Sequence, residues 1–152
     1  MDFAYNDEQK EIIKVVRDLV EKEIVPYASE MDETGKLHEG LLEKLAAQGL
    51  LGVAIPEEFG GAGLDAITIA AIYEELGKGC AGVATTVAAN ALASYPVIIA
   101  GNDDQKKRYF DIINEDNLAA FALTEPGTGS DAGSVSTRAM KTEDGKGYIL
   151  NG

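Results

Sequence analysis

Apolar residues recur at helical spacing from the start of the chain. Ile12, Val16, Leu19, Val20 and Ile24 fall on one face of a 3.6-residue repeat. In front of them Asn6 stands three residues before Gln9, with Asp7 and Glu8 between, the pattern of a capped helix start. This predicts a helix to about Met31, bent at Pro26, and a break at Thr34-Gly35. A short amphipathic helix through Leu41, Leu42, Leu45 and Ala46 follows, closed by Gly49 as a left-handed cap, and Leu50 to Ile55 crosses to Pro56. The run Pro56-Glu57-Glu58-Phe59-Gly60-Gly61-Ala62-Gly63 reads as a loop. Asp65 caps the next helix, with Ile67, Ala70, Ala71 and Leu76 as its expected apolar face. Gly77 and Gly79 are expected to separate it from an Ala-rich helix, and Asn102 with Gln105 repeats the capping pattern before Tyr109, Phe110, Ile112 and Ile113. About five helices in a row are predicted.

The pattern changes after Asn117. Leu118 to Leu123 is an apolar run of strand length, and Thr124 to Gly133 is rich in Gly, Pro, Ser and Asp. Val135 to Lys141 and Tyr148 to Leu150 flank Asp144-Gly145 and predict a hairpin. Helices followed by strands imply two domains, 1–117 and 118–152. Two or three strands are too few to stand alone, so the second domain is expected to be cut short and the chain to be a fragment of a longer product.

The Ala-rich segment is long enough to raise a membrane reading, because Gly79 to Asn102 holds no charged residue over 24 positions, enough to cross a bilayer. It contains Thr85, Thr86, Asn90, Ser94 and Pro96, and no basic cluster precedes it. A buried central helix is the better expectation, with no membrane partner. Met1 to Glu11 is acidic and lacks an apolar stretch of signal-peptide type, from which a cytoplasmic location is expected.

Charge narrows the partners. The chain has 152 residues and a net charge of -13, which disfavours nucleic acid and anionic membranes. The acidity is uneven: residues 1–76 carry 17 acids and 6 bases, residues 77–152 carry 9 and 7. An anionic ligand would favour the second half. The single Cys80 cannot form an internal disulfide, and at this length a domain buries roughly two-thirds of its unfolded surface without one.

The segment Phe121-Ala122-Leu123-Thr124-Glu125-Pro126-Gly127-Thr128-Gly129-Ser130-Asp131 is the richest in candidate chemistry. An apolar run feeding glycines and small hydroxyls offers backbone N–H groups and side-chain donors for a phosphate or the polar edge of a heterocycle. A P-loop is excluded, since no Lys-Ser/Thr follows the glycines. Gly127 to Ala132 matches the G-x-G-x-x-A spacing of a Rossmann unit, but that unit requires a helix after the glycines, whereas Ser134 to Thr137 is β-prone. His38 has no second ligand at metal spacing and reads as a surface residue; Cys80 reads as a small packed residue rather than a nucleophile. Lys106-Lys107-Arg108 could meet a partner or a ligand phosphate, although a solvated helix face is the commoner reading. No metal site is expected.

At this point a family resemblance becomes specific. Phe121 to Asp131 resembles the flavin-contacting signature of the acyl-CoA dehydrogenase family, and Pro56 to Gly61 followed by Gly63-Leu64-Asp65 resembles the loop before that family's third major helix. Ile99-Ala100-Gly101-Asn102-Asp103-Asp104-Gln105-Lys106-Lys107 and Tyr148-Ile149-Leu150-Asn151-Gly152 are further matches, in order along the chain. The resemblance implies a mainly α chain: an all-helical, up-and-down N-terminal domain, then the opening of a β-barrel-like domain, with a C-terminal helical bundle beyond it and FAD at the junction. It implies oxidation of an acyl-CoA thioester to the 2-enoyl-CoA, or the reverse reduction. A Glu takes the α-proton and flavin N5 takes the β-hydride. Electron-transferring flavoprotein is the implied partner, and a homodimer or homotetramer the implied assembly.

Carried onto this sequence, the resemblance places Phe121 and Leu123 against the flavin ring and Thr124 at its reactive edge, where a hydrogen-bond donor stabilises the reduced form. Gly129 would allow close backbone approach, and Ser130 would face both cofactor and thioester. The plainer alternative is that Thr124 and Ser130 only satisfy loop backbone. Ala84, Thr85 and Ala88 match positions bordering the acyl chain, where small side chains leave room, although close helix packing also selects alanine. No catalytic residue is expected within the chain: the family's base lies beyond residue 152, and Glu125 reads as a structural loop carboxylate. A helical interaction module without catalysis is the alternative of a different class.

Overall fold

The computed structural model describes residues 4–114 and 117–152; the first three residues of the acidic Met1–Glu11 start lie outside that range. The chain divides into two units, Met1–Ala120 and Phe121–Gly152.

The first unit is helical. Helix α1 spans Asp7–Leu19, and the predicted capping box is closed in both directions: Asn6 Oδ1 accepts the Gln9 N–H at 2.8 Å and Gln9 Oε1 accepts the Asn6 N–H at 3.0 Å. Around Pro26 the helical path is irregular. It widens into a π turn over Val20–Ile24, tightens into a 3-10 turn over Val25–Tyr27, and resumes as α2, Ala28–Thr34. Proline lacks the N–H that would bond the Lys22 carbonyl and its ring crowds that carbonyl, so the irregular turns take up the mismatch. The path therefore ends at Thr34, beyond the predicted Met31, where Gly35 adopts a left-handed φ of 65°.

Helix α3 is Leu41–Ala47, followed by Gly49 at φ 70° and a 3-10 turn at Leu50–Gly52. Helix α4 spans Ala66–Gly79, with Asp65 accepting the N–H groups of Ile67 and Thr68 at 2.9 and 3.1 Å. Its buried face is Thr68, Ala71, Ile72, Glu75 and Leu76. The expected face includes Ile67 and Ala70, and both are exposed. A polar Thr68 takes the inward position because its hydroxyl is satisfied by Asp65 and by Gln9 of α1. Gly77 is inside α4 and does not break it. Gly79 is where the close approach occurs: a Cβ there would lie 2.6 Å from Val20 Cγ1.

Helix α5, Ala81–Ala100, packs on α4 and buries Val83, Val87, Asn90, Ala91, Ala93 and Ser94. Among the described residues it is the one helix long and apolar enough to cross a membrane. Pro96 lies inside it on the exposed side, where the carbonyl it leaves unpaired can meet water. Helix α6, Asp103–Ile113, starts at the predicted Asn102–Gln105 capping box. The main core joins Val16, Val20 and Ile24 to Leu41 and Leu45, Ile72 and Leu76, and Val83 and Val87. A smaller cluster gathers Ile55, Phe110 and Ile113, with the Phe59 and Phe110 rings stacked 4.9 Å apart.

In the second unit, Arg138–Lys141 (β1) pairs antiparallel with Tyr148–Asn151 (β2), with Ala139 opposite Leu150 and Met140 opposite Ile149. The connection runs through Thr142 to Gly147 and contains the predicted Asp144-Gly145, with Gly145 at φ 70°. Two strand expectations fail. Leu118 to Leu123 belongs to no strand, and Val135 to Thr137 precedes β1 without joining it. An apolar run becomes a strand only where a ladder partner exists, and among the described residues none pairs with 118–123. Ser136 and Thr137 hydrogen-bond to Glu125.

Candidate functional site

Glu125 organises the loop that the sequence singles out. Its backbone N–H and carbonyl exchange hydrogen bonds with Thr128, both 3.0 Å, closing a tight turn over Pro126-Gly127. Its carboxylate reaches across to the residues before β1. Oε2 accepts the Ser136 N–H at 2.8 Å and its hydroxyl at 2.6 Å, and Oε1 accepts the Thr137 N–H at 2.9 Å and its hydroxyl. Four donors on one carboxylate, the Ser136 hydroxyl first among them, hold its pKa down to about 2. It is thus ionised and fully engaged, the opposite of a group poised to take a proton.

Thr128 completes the frame. It is buried, and its hydroxyl donates to the Ser134 carbonyl at 3.1 Å. Ser134 also bonds back to Asp131 through its backbone and its hydroxyl. The residues after the glycines form a single 3-10 turn, Ala132–Ser134, and then extended chain. The Rossmann alternative, which needs an α-helix there, is overturned.

The predicted flavin residues lie around this frame. Thr124 and Ser130 are exposed, and neither hydroxyl has a partner among the described residues. The loop-backbone hydrogen bonds around them are made by Thr128 and Ser134. Phe121 and Leu123 are each about two-fifths exposed, at 39% and 43%. At Gly127 and Gly129 an added Cβ would meet nothing within 4 Å. The segment therefore offers open apolar surface, two free hydroxyls and unobstructed backbone on a turn fixed from behind. Those are the features needed to receive the ring and polar edge of a flavin.

The predicted acyl-binding positions sit on α5, in the other unit. Ala84 is half-buried, with the Cβ position of Gly77 4.0 Å away, and Ala88 is also half-buried. Thr85 is exposed and donates its hydroxyl to the Ala81 carbonyl at 2.8 Å. The remaining face of α5, through Leu92, Tyr95 and Ile99, is exposed and uncharged.

Other polar candidates resolve into local roles. His38 stacks on Tyr27 with ring centroids 3.5 Å apart, its Nδ1 3.7 Å from Glu30. Cys80 packs against the main core. Lys107 pairs with Asp111 at 2.7 Å, and Lys106 lies over the Phe59 ring. Among the described residues no three His, Cys, Asp or Glu side chains gather as a metal site would require. An apolar cavity of about 370 Å³ opens between α1, the 48–53 turn and α4, but none of the predicted site residues lines it.

Sequence reasoning does not reveal Ser136 and Thr137. They lie 11 and 12 residues from Glu125, and a link at that separation leaves no periodic or motif signal.

The family model described as acyl-CoA dehydrogenase, N-terminal domain, matches residues 6–115. A 3-(aryl)acrylate reductase of Clostridium sporogenes is 43% identical over 149 residues, covering 95% of this chain and 39% of that protein. The structure of butyryl-CoA dehydrogenase from Megasphaera elsdenii superposes with a TM-score of 0.84 at 36% identity, covering 100% of this chain and 41% of that one. The acyl-CoA dehydrogenase from Bacillus anthracis complexed with FAD gives a TM-score of 0.84 at 37% identity, covering 97% and 26%. The chain thus spans about two-fifths or less of the length of these relatives.

Proposed function

The chain belongs to the acyl-CoA dehydrogenase family, and on that premise we propose that the complete protein is an FAD-dependent oxidoreductase acting on the Cα–Cβ bond of an acyl-CoA thioester. The observation that carries the reading is the pair of unpartnered hydroxyls, Thr124 and Ser130, beside exposed Phe121 and Leu123 on a turn locked by Glu125. Exposed apolar side chains beside hydroxyls open to solvent match an isoalloxazine ring with its polar edge in shape and chemistry.

FAD, when bound, supplies a two-electron acceptor for hydride. The chain's own residues do the rest of the binding: Phe121 and Leu123 pack on the ring, Thr124 donates a hydrogen bond toward its reactive edge, and Gly129 lets backbone come close. Ser130 donates and accepts between cofactor and thioester. Ala84, Thr85 and Ala88 leave space for the acyl chain. Glu125, held well below the usual carboxylate range by four donors, is too weak a base for the α-proton; a Glu elsewhere in the complete protein takes that part. Residues 118–152 belong to the β-barrel-like domain, electron-transferring flavoprotein is the electron partner, and the assembly is a homodimer or homotetramer.

The reductive direction has separate support, because a relative at 43% identity is named as a reductase of 3-(aryl)acrylate. The test is a visible spectrum of the complete protein under anaerobic conditions. A flavin band that bleaches on adding butyryl-CoA supports dehydrogenation; a dithionite-reduced flavin that reoxidises on adding an enoyl-CoA, with no bleaching by acyl-CoA, supports reduction. A colourless protein that refuses added FAD overturns the proposal and favours the non-catalytic interaction module.

A further inference from the structure

We infer that Glu125 is a positioning residue for the flavin loop, its carboxylate clamping residues 124–130 to Ser136-Thr137 so that the hydroxyls of Thr124 and Ser130 stay presented and free. This rests on the reading of the site given above. The frame has three parts. The Glu125–Thr128 backbone pair sets the turn, the buried Thr128 hydroxyl ties it to Ser134, and the Glu125 carboxylate bridges 11 and 12 residues to the strand entry. Among the described residues only the carboxylate connects the turn to Ser136 and Thr137 by side-chain hydrogen bonds. Both of its oxygens receive an N–H and an O–H, so its acceptor capacity is filled. Thr124 is its immediate neighbour, and any slackening of the clamp moves the Thr124 hydroxyl directly. Precise placement of a cofactor-facing donor requires such a supporting shell.

The test compares Glu125→Gln, the pair Ser136→Ala/Thr137→Val, and all three changes together, in the complete protein. Glutamine keeps the shape but turns one acceptor into a donor facing donors. The expected result is a dissociation constant for FAD raised roughly tenfold, the equivalent of one charge-assisted hydrogen bond, with a shifted flavin absorption band. The triple variant should lose less than the sum of its two parents, because the hydroxyl bonds that Ser136→Ala/Thr137→Val removes end on the same carboxylate. In the flavin-free protein, amide exchange at 124–130, 136 and 137 should speed up in Glu125→Gln. Glu125→Asp, which keeps the charge on a shorter arm, should recover part of the affinity.

Wild-type affinity and spectrum in Glu125→Gln, or effects that add in the triple variant, would overturn the inference. So would a lowered melting temperature with an unaltered flavin band, the sign of a purely structural carboxylate. Failure of the site reading looks different: the wild type itself would bind no FAD, while amide exchange would still report whether the clamp exists.

Discussion

Asn90 Oδ1 accepts the backbone N–H of Ala119 at 2.6 Å, while its Nδ2 donates to the Leu51 carbonyl at 3.0 Å. Asn90 is fully buried in the middle of the uncharged helix α5. A buried amide is costly unless both of its ends are satisfied. Here both are, by chain segments 39 and 29 residues away. One side chain thus fixes the 3-10 turn after α3 and the segment leaving the helical unit, two residues before Phe121.

Replacing Asn90 by Leu, which has nearly the same volume, removes both bonds and leaves the facing backbone groups unpaired. The expected loss is about 2–4 kcal/mol in urea unfolding, with little change in the slope. A loss under about 0.5 kcal/mol would mean that Leu51 and Ala119 find other partners.

The Arg17–Glu75–Lys78 cluster sets an acid limit on stability. Arg17 of α1 grips the Glu75 carboxylate with Nε at 3.1 Å and Nη2 at 2.9 Å, and Lys78 adds a contact at 2.8 Å. The Glu75 side chain is 6% exposed. The Arg17 hydrogen bond, followed by that of Lys78, lowers its pKa from 4.5 to about 2 against the opposing effect of burial. A depressed carboxylate pKa contributes stability that is complete above the unfolded value near 4.5 and is lost as pH falls toward 2. The full shift corresponds to about 3 kcal/mol, and screening of the half-exposed Arg17 and Lys78 reduces the expected contribution to about 1–2 kcal/mol. Glu75→Gln should therefore fall below wild type by that amount at pH 7, and the gap should narrow between pH 4.5 and 2 in thermal melts. A gap independent of pH would remove the ion pair as its cause.

The helical half of the chain is legible in the sequence because its signals are local. Asn6 with Gln9, Asp65, Asn102 with Gln105, and the left-handed Gly35 and Gly49 each act within one turn, and all sit where the pattern puts them. What escapes the pattern depends on partners far along the chain. Ile67 has the character of a core residue and Thr68 does not, because nothing near them reveals that Gln9 of α1 meets the Thr68 hydroxyl. Leu118 to Leu123 has a strand's composition, but no described residue offers it a ladder. At the site, glycine and hydroxyl content marks the loop, while the carboxylate clamp that shapes it joins residues too distant for any motif to encode.

Tyr73 carries the opposite kind of polar group from Asn90. Its hydroxyl is buried and, among the described residues, is the buried side-chain polar atom left without a hydrogen bond. Burial, with a smaller contribution from Tyr95, pushes its pKa up to about 12. Removing an unsatisfied hydroxyl while keeping the ring recovers its desolvation cost, so Tyr73→Phe should stabilise the protein by about 1 kcal/mol. Differential scanning calorimetry reads this as a rise in melting temperature. A fall instead would show that the hydroxyl is satisfied in the complete protein.

Thr124 and Thr128 are four residues apart in the same loop and should answer the same substitution in opposite ways. The Thr128 hydroxyl is buried and spent on the Ser134 carbonyl. Thr128→Val should loosen the turn at a cost of about 1–2 kcal/mol, visible as faster amide exchange from 125 to 134. Thr124 is exposed, with a free hydroxyl. Thr124→Val should leave stability within about 0.5 kcal/mol of wild type and the exchange pattern unchanged, yet, on the proposed reading of the site, weaken FAD about tenfold or more and slow its reduction. Ser130→Ala should behave like Thr124→Val in stability and lower turnover with the thioester substrate. If Thr124→Val instead destabilises the loop and leaves flavin affinity untouched, the hydroxyl belongs to the fold, and the exposed surface of Phe121 and Leu123 needs a different occupant.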